Sequence, residues 1–273
     1  MSDKIKELVE KIKDLSKTEY YGIKISEEIP DIFDSKIGGL PYWTPDQVYP
    51  TNSEGKKLFL LAQINFDKDK ADTPLPKNGI LQFFIYDDNV MGLNFDDFTQ
   101  QNNFRVIYHE NIDYKITKDT ISQLGVPDSK NAKCYPIFGE YKISLKKETE
   151  YANFHDIRFD NFFKIAYKEI YNKDLKDDDY YFKILNDEER KIFEKKLKKK
   201  NSLNHKMLGY SYFTQEDPRY DKKYADYDTL LLQIDTEGKY VMWGDMGIGN
   251  FFISKKSLLE KDFNKVLYNW DCC

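Results

Sequence analysis

The chain has 273 residues, of which 40% are hydrophobic and 33% are charged, and this composition is typical of a soluble globular protein. The formal net charge of −5, from 42 basic and 47 acidic side chains, is too small to indicate nucleic acid or an anionic membrane as the partner. The 21 tyrosines and 19 phenylalanines favour half-buried β-strands, so we expect a sheet-rich protein.

The three cysteines are Cys134, Cys272 and Cys273. An odd number, with two of them adjacent, is a poor disulfide framework and suits a reducing compartment. The first residues, MSDKIKELVEKIKDL, lack the continuous apolar segment of a secretion signal. The longest unbroken apolar run is about five residues, LFLLA at 58–62, whereas a membrane span needs about 20. We therefore predict a cytoplasmic protein with no membrane partner.

The first predicted element is a helix from about residue 3 to residue 17. Apolar side chains recur there at helical spacing, at Ile5, Leu8, Val9, Ile12 and Leu15. Acids and lysines are mixed on the other face. This balance favours a solvated helix face over a cationic membrane-binding surface.

Two stretches of short apolar runs and turn residues predict strands. In the first stretch we expect strands at 58–64, at 80–86 after the Asn78-Gly79 turn signal, and at 105–109. In the second stretch, TLLLQID (229–235) is predicted to meet YVMW (240–243) in a hairpin, and IGNFFIS and KVLYNW follow.

The two stretches align as an internal repeat. KIGGLPYW at 36–43 aligns with KMLGYSYF at 206–213, and both Gly39 with Gly209 and Gln63 with Gln233 are 170 residues apart. GILQFFI (79–85) aligns with GIGNFFI (247–253), and VIYHE (106–110) aligns with VLYNW (266–270). We predict a single domain in which a first repeat (about 36–110) and a second repeat (about 206–273) are joined by a connector with helices (about 111–205). The predicted fold class is α+β with mainly antiparallel sheet.

The connector is predicted to contain two helices. Apolar residues at helical spacing indicate one at 159–170, and a second begins near residue 187, with Asn186 as its N-cap and Glu189 in a capping-box position. The lysines near its end are at 195, 196, 198, 199 and 200. The helix dipole favours cations there, so a solvated helix end is favoured over a nucleic-acid patch, for which no interleaved aromatics are present.

The chain resembles the YwqG-like family, a bacterial family of domains of unknown function. The resemblance rests on KIGGLPYW, LLAQINF, GILQFF, FRVIYHE, LLLQID and, most specifically, WGDMGIGNFFISKKSLLEKDFNKVLYNWDCC. It covers roughly residues 20–273. It implies a cytosolic protein rich in antiparallel sheet with added helices, and it implies no reaction and no catalytic residues.

Gln63 and Gln233 are the most informative polar residues, because each lies inside an aliphatic strand. A buried amide without partners costs about 1 to 3 kcal/mol, so both should have partners. In the structural interpretation, which we favour, each ties its strand to an irregular segment near Gly38-Gly39 or near Gly209. In the functional interpretation, the two amides face a shared groove and bind a polar ligand.

The remaining candidate motifs are weak. WGDMGIGN (243–250) fits neither phosphate-binding glycine pattern and predicts a tight turn between strands, which can expose Asp245 at an open edge. His109 ends a strand and aligns with Asn269, and the three histidines have no metal-ligand spacing. Asp87-Asp88 and Asp96-Asp97 do not match a calcium loop. We predict no metal site, no cofactor and no catalytic residue.

Two functions remain open. The leading hypothesis is a non-catalytic binding or protein-interaction module, with an inhibitor-like or immunity-like role toward a basic partner as one form of it, because aromatic residues can anchor interfaces. The alternative is a small-molecule enzyme or sensor that uses a groove between the repeats, with Gln63, Gln233, Asp245 and His109 as its polar contacts. The sequence does not favour nucleic-acid binding, and it does not indicate an oligomeric state.

Overall fold

A computed structural model describes residues 2–127, 129–197 and 204–273 of the chain. The helices are α1 (Ser2–Ser16), α2 (Lys118–Gln123), α3 (Phe159–Tyr171), α4 (Tyr181–Ile184), α5 (Asp187–Leu197) and α6 (Lys255–Leu259). The strands are β1 (Thr18–Ser26), β2 (Lys36–Ile37), β3 (Phe59–Asn65), β4 (Ile80–Ile85), β5 (Phe104–His109), β6 (Tyr141–Glu150), β7 (Lys206–Leu208), β8 (Thr229–Asp235), β9 (Ile248–Ile253) and β10 (Val266–Asp271).

All these strands belong to one ten-stranded sheet with the order β10-β9-β8-β7-β1-β6-β2-β3-β4-β5. Every pairing is antiparallel, so the predicted mainly antiparallel fold with added helices is confirmed. A first strand set (β2–β5) and a second strand set (β7–β10) lie on either side of β1 and β6, which pair with each other from Thr18↔Glu150 to Ser26↔Lys142.

The central strands β1 and β6 are absent from the sequence prediction. The predicted connector therefore also contains a strand, β6, that hydrogen-bonds to both β1 and β2. Its sequence, YKISLKKETE, is rich in lysine and glutamate, which are depleted in strands. Pairing on both sides stabilises this strand in spite of its low β-propensity.

The two ends of the sheet pack against each other across the main hydrophobic core. The ring centroids of Phe83 and Phe251 are 5.0 Å apart, and those of Phe104 and Tyr268 are 5.2 Å apart. The backbone N–H of Tyr268 also donates to the carbonyl of Phe98, at 2.9 Å. Strands of both sets therefore share one core.

The helices form a second core beside the sheet, in which Ile5, Leu8 and Val9 of α1 are buried with apolar residues of α3 and α5. The predicted capping box of α5 is confirmed: Asn186 Oδ1 accepts from Glu189 N at 3.0 Å, and Glu189 Oε2 accepts from Asn186 N at 3.2 Å. Of the predicted lysine cluster, residues 198–200 lie outside the described residues. No described helix combines the length and the hydrophobicity that a transmembrane span requires.

The predicted hairpin of TLLLQID with YVMW is wrong. Strand β8 pairs with β7 and β9, whereas YVMW forms only isolated bridges from Val241 to Glu237 and Ile137. The hydrogen-bond register of the strands also differs by two residues from the sequence alignment in the fourth aligned segment. Ile80 pairs with His109, and the residue aligned with Ile80, Ile248, pairs with Asp271, so His109 corresponds in register to Asp271 and not to Asn269.

Candidate functional site

Gln63 is fully buried and uses its whole amide for hydrogen bonds inside the protein. Its Oε1 accepts from Tyr42 N and from Gln82 Nε2, both at 2.8 Å. Its Nε2 donates to the carbonyl oxygens of Ile32 and Asp34, at 2.8 and 2.9 Å. Two acceptor positions and two N–H groups are thereby filled, which is the full capacity of an amide.

Gln233 has the same kind of partners in the second strand set. Its Oε1 accepts from Tyr212 N at 2.9 Å, and its Nε2 donates to the carbonyl of Asn204 at 2.8 Å. Both glutamines thus tie a strand to irregular segments on either side of a short strand, as the structural interpretation predicts. A role in ligand binding stays a prediction for both.

His109 is connected to Gln63 through Gln82. The amide nitrogen of Gln82 donates to Gln63 Oε1 and to the carbonyl of Tyr42, so Gln82 Oε1 accepts from His109 Nε2 at 2.9 Å. The ring of His109 also packs edge-on against Tyr42 and Trp43, with centroids 5.2 and 5.1 Å apart. Burial lowers the pKa of His109 to about 4, so the imidazole is neutral at physiological pH.

Asp245 is exposed in a tight turn before β9, in which Gly247 N donates to the carbonyl of Trp243 at 2.8 Å. A tight turn at this place is thus confirmed, but it follows the irregular YVMW segment and not a strand. The structure brings two of the four predicted site residues together, Gln63 and His109, and it does so through Gln82, which the sequence reasoning did not single out.

A different set of residues forms a cleft of about 690 Å³ over the middle of the sheet. We call it the seam cleft, because it lies between the two strand sets. It is lined by Lys17, Thr18, Glu19, Tyr21, Asp72, Thr73, Pro74, Lys147, Thr149, Arg158, Leu208, Gly209, Thr229 and Lys255. None of the four sequence-predicted site residues lines it.

The charged residues of the seam cleft are mostly cationic: Lys17, Lys147, Arg158 and Lys255 against Glu19 and Asp72. Lys147 forms ion pairs with both carboxylates: its Nζ lies 2.9 Å from Glu19 Oε2 and 3.0 Å from Asp72 Oδ2. Within the described part of the chain, Lys17 and Lys255 form no ion pair. Arg158 is paired with the Asp156 carboxylate, so the uncompensated positive charge of the cleft comes from Lys17 and Lys255.

Arg158 is the most rigidly held of these cations. Its Nε and Nη2 donate to Asp156 Oδ1 and Oδ2, each at 2.7 Å, and Nη2 also donates to the carbonyl of Gly209 at 2.6 Å. The guanidinium carbon lies 4.5 Å from the ring centroid of Tyr210. Burial opposes its charge, but the Asp156 carboxylate outweighs burial and raises the pKa of Arg158. The guanidinium is thus fixed in one orientation.

Asp156 belongs to a buried network of hydrogen bonds and ion pairs. Its Oδ2 accepts from Ser211 N and Oγ at 2.9 and 2.8 Å and lies 3.2 Å from Arg219 Nη2. Arg219 also pairs with Asp217, at 2.6 Å. Burial alone would raise the pKa of Asp156, but Arg158 and Arg219 hold it well below its usual range. Asp156 is therefore a permanent anion that positions Arg158 and is a poor proton donor.

Gly209, in the wall of the cleft, covers a second buried ion pair. Lys206 Nζ lies 2.8 and 3.1 Å from the two carboxylate oxygens of Glu150, and Tyr210 N donates to Glu150 Oε1 at 2.6 Å. Burial raises the pKa of Glu150 and lowers that of Lys206. Gly209 has φ +73°, and a Cβ there would lie 1.9 Å from Glu150 Oε1, so the site requires glycine.

The sequence reasoning missed the seam cleft because its cations lie at positions 17, 147, 158 and 255 and form no local motif. The only local signal is the spacing of Asp156 and Arg158, which places a carboxylate and a guanidinium two residues apart. Among the residues that the structure describes, no group of three His, Cys, Asp or Glu side chains is placed to hold a metal ion.

In the comparison with protein families, a family model described as "Domain of unknown function (DUF1963)" matches residues 35–272. The match agrees with the predicted resemblance to the YwqG-like family and confirms it. The comparison with curated proteins found no match.

Proposed function

The chain belongs to the DUF1963 family, and since the family description states no activity, we propose from the geometry that the protein is a non-catalytic binding protein that holds an anionic ligand in the seam cleft. The observation that carries this proposal is the charge of the cleft. Four cationic and two acidic side chains line it, although the whole chain has a net charge of −5. Concentrated positive charge in a concave site attracts anions.

The ligand group that fits this site is a carboxylate or a phosphate. Asp156 already occupies Nε and Nη2 of Arg158, so the guanidinium can donate to a ligand oxygen only through Nη1, which has no hydrogen-bond partner among the described residues. A charge-assisted hydrogen bond from a guanidinium in a fixed orientation suits a carboxylate or phosphate oxygen. Lys17 and Lys255 add exposed, flexible cations that can follow ligands of different size.

We infer that the cleft lies between two halves that arose by internal duplication, at about 36–110 and 206–273, within a single domain. Gln63 and Gln233 support this, since each accepts from the N–H of a tyrosine 21 residues earlier. Each glutamine also pairs in register with a fully buried lysine, Lys36 or Lys206. The register shifts between residues 60 and 62 and between residues 230 and 232 are the same irregularity.

We also infer a place in the bacterial cytosol, as the family resemblance implies. The state of the thiols supports this inference, since Cys134, Cys272 and Cys273 are all unpaired. Free thiols are the normal state of cysteine in reducing compartments.

The alternative is a small-molecule enzyme or sensor that uses the same groove between the halves. An acid–base enzyme would need a group that changes protonation near neutral pH in the cleft. The carboxylate nearest Arg158 does not fit that role, because its arginine partners hold the pKa of Asp156 well below its usual range. The state of Asp156 therefore supports binding without proton transfer.

A thermal-shift screen tests the proposal. Wild type and the double variant Lys17→Gln/Lys255→Gln are compared with inorganic phosphate, citrate and, as a cation, spermidine. We expect the two anions to raise the Tm of wild type more than that of the variant, because ligand binding stabilises the folded state. Equal shifts in both proteins, or a shift with spermidine alone, would count against an anion site in the seam cleft.

A further inference from the structure

A second cleft, of about 400 Å³, is lined by aromatic rings. We call it the aromatic cleft, and its rings belong to Phe95, Phe98, Tyr220, Tyr224 and Trp270. Phe95 is 69% exposed and Tyr220 is 44% exposed, so two large rings face solvent at its edge. Phe98 and Tyr224 pack on each other deeper in, with ring centroids 5.4 Å apart.

The charged residues that line the aromatic cleft are all acidic: Glu216, Asp217, Asp221 and Asp271. Asp217 is neutralised by Arg219, at 2.6 Å. The remaining three carry charge that no cation of the described residues compensates by an ion pair. The aromatic cleft therefore has the opposite sign to the seam cleft.

The local backbone fixes two of these carboxylates in place. Asp271 accepts from Thr214 N and Gln215 N, at 3.1 and 2.9 Å. Asp221 accepts from Lys223 N at 2.9 Å. Glu216 is exposed and makes no such bond within the described residues, so its carboxylate can turn toward a ligand.

We propose that the aromatic cleft binds an arginine or lysine side chain on an exposed segment of a basic partner protein. Aromatic faces attract cations, and the carboxylates around the rings attract the same cationic side chain by Coulomb forces. Aromatic residues and a complementary charge are also the usual composition of protein-interface anchors. The site differs from the proposed anion site in place and in sign.

The size of the cleft favours a protein segment over a free small cation. A volume of about 400 Å³ exceeds what one guanidinium fills, so residues next to the bound arginine also contact the rings. The exposed rings of Phe95 and Tyr220 offer apolar area that a polyamine does not use well. This partner also fits the sequence-based hypothesis of an inhibitor-like role toward a basic protein.

Tryptophan fluorescence provides a direct test. Trp43 and Trp243 are buried, at 2% and 0% exposure, whereas Trp270 is partly exposed and lines the cleft. The probe is a five-residue peptide of alternating arginine and glycine, with the matching glutamate peptide and spermidine as comparisons. We expect the arginine peptide to change the emission of wild type and to bind more tightly than either comparison.

Two variants assign the effect to the cleft. Phe95→Ala removes an exposed ring and Glu216→Gln removes one charge, and each should weaken the arginine peptide by about two- to fivefold. Glu188 is exposed at the start of α5, so Glu188→Gln removes the same charge elsewhere and should leave the affinity unchanged. The proposal fails if the arginine peptide leaves the emission unchanged, if spermidine binds as tightly, or if Glu216→Gln behaves like Glu188→Gln.

Discussion

Arg158 and Asp156 form a two-point ion pair, with Nε to Oδ1 and Nη2 to Oδ2 both at 2.7 Å. The carboxylate is buried and the guanidinium lies in the wall of the seam cleft. Because the buried Asp156 carboxylate holds the Arg158 guanidinium in one orientation, the wall of the cleft has a positive group in a defined position. This pair is the centre of the proposed anion site.

Replacing Arg158 by lysine should destabilise the protein by about 2 kcal/mol, because an ammonium cannot make both hydrogen bonds to the buried carboxylate. Urea unfolding measures the loss. The matched control is Arg190→Lys, since Arg190 pairs with Asp187 on an exposed helix face, and such pairs contribute about 0.5 kcal/mol or less. Equal effects of the two substitutions would contradict the structural account of Arg158.

Gly209→Ala should destabilise the protein by about 3 to 5 kcal/mol, because positive φ strains the new residue and its Cβ displaces the buried Glu150 carboxylate. Gly55→Ala is the control. Gly55 has φ +77°, close to the +73° of Gly209, but nothing lies within 4 Å of its added Cβ. Gly55→Ala should therefore lower the unfolding free energy only by the strain energy, about 1 to 2 kcal/mol. Similar losses in chemical denaturation would show that Gly209 is not packed as described.

Gln63→Leu should destabilise the protein by about 3 kcal/mol, since it leaves the buried Tyr42 N–H and the carbonyls of Ile32 and Asp34 without their partner. Gln233→Leu should cost less, about 1 to 2 kcal/mol, since its bonds to Tyr212 N and to the carbonyl of Asn204 are only partly buried. The exposed Gln123, on α2, is the control, and its replacement by leucine should change the unfolding free energy by about 0.5 kcal/mol or less. If either buried glutamine tolerates leucine as well as Gln123 does, its role as a tie between strand and irregular segment is wrong.

His109 predicts a pH dependence of stability. The unfolded imidazole has a pKa near 6.5 and the folded one about 4, so below pH 6.5 protons bind the unfolded state first. The stability due to neutral His109 is present above pH 6.5 and is lost as the pH falls to about 4. At about 1.4 kcal/mol per pH unit, the total loss is about 3 kcal/mol.

The variant His109→Gln isolates this effect, because its amide can still donate to Gln82 and does not titrate. Between pH 7 and pH 4, wild type should lose about 3 kcal/mol more unfolding free energy than the variant. Denaturant unfolding across this pH range gives both curves. Parallel curves would mean that His109 does not titrate as its burial requires.

Sequence patterns predicted the strands that carry β-branched and aromatic residues, such as the segment around Phe83 and Phe84, because propensity and burial agree there. They missed β1 and β6. Lys146, Lys147 and Glu148 have low strand propensity, and their strand exists because of neighbours far away in the sequence. Such tertiary effects are not visible in a local window.

The candidate site shows the same limit. The role of Gln63 as a tie was predictable because its surroundings recur at Gln233. The seam cleft was not, because Lys17, Arg158 and Lys255 come together only when β1, α3 and α6 are placed around one opening. Sequence reasoning therefore predicted the structural role of the two glutamines and did not predict the seam cleft.

The most direct test of the anion site is calorimetric titration of inorganic phosphate and citrate into wild type and into Lys17→Gln/Lys255→Gln. The control is Lys24→Gln/Lys222→Gln, which removes two exposed lysines outside the cleft. Two exposed cations contribute enough to weaken binding about three- to tenfold. We predict that loss of affinity for the cleft variant and wild-type affinity for the control. Whichever of the two anions binds more tightly indicates whether the natural ligand carries a phosphate or a carboxylate. Equal affinities in all three proteins, or no binding of either anion to wild type, would contradict an anion site in the seam cleft.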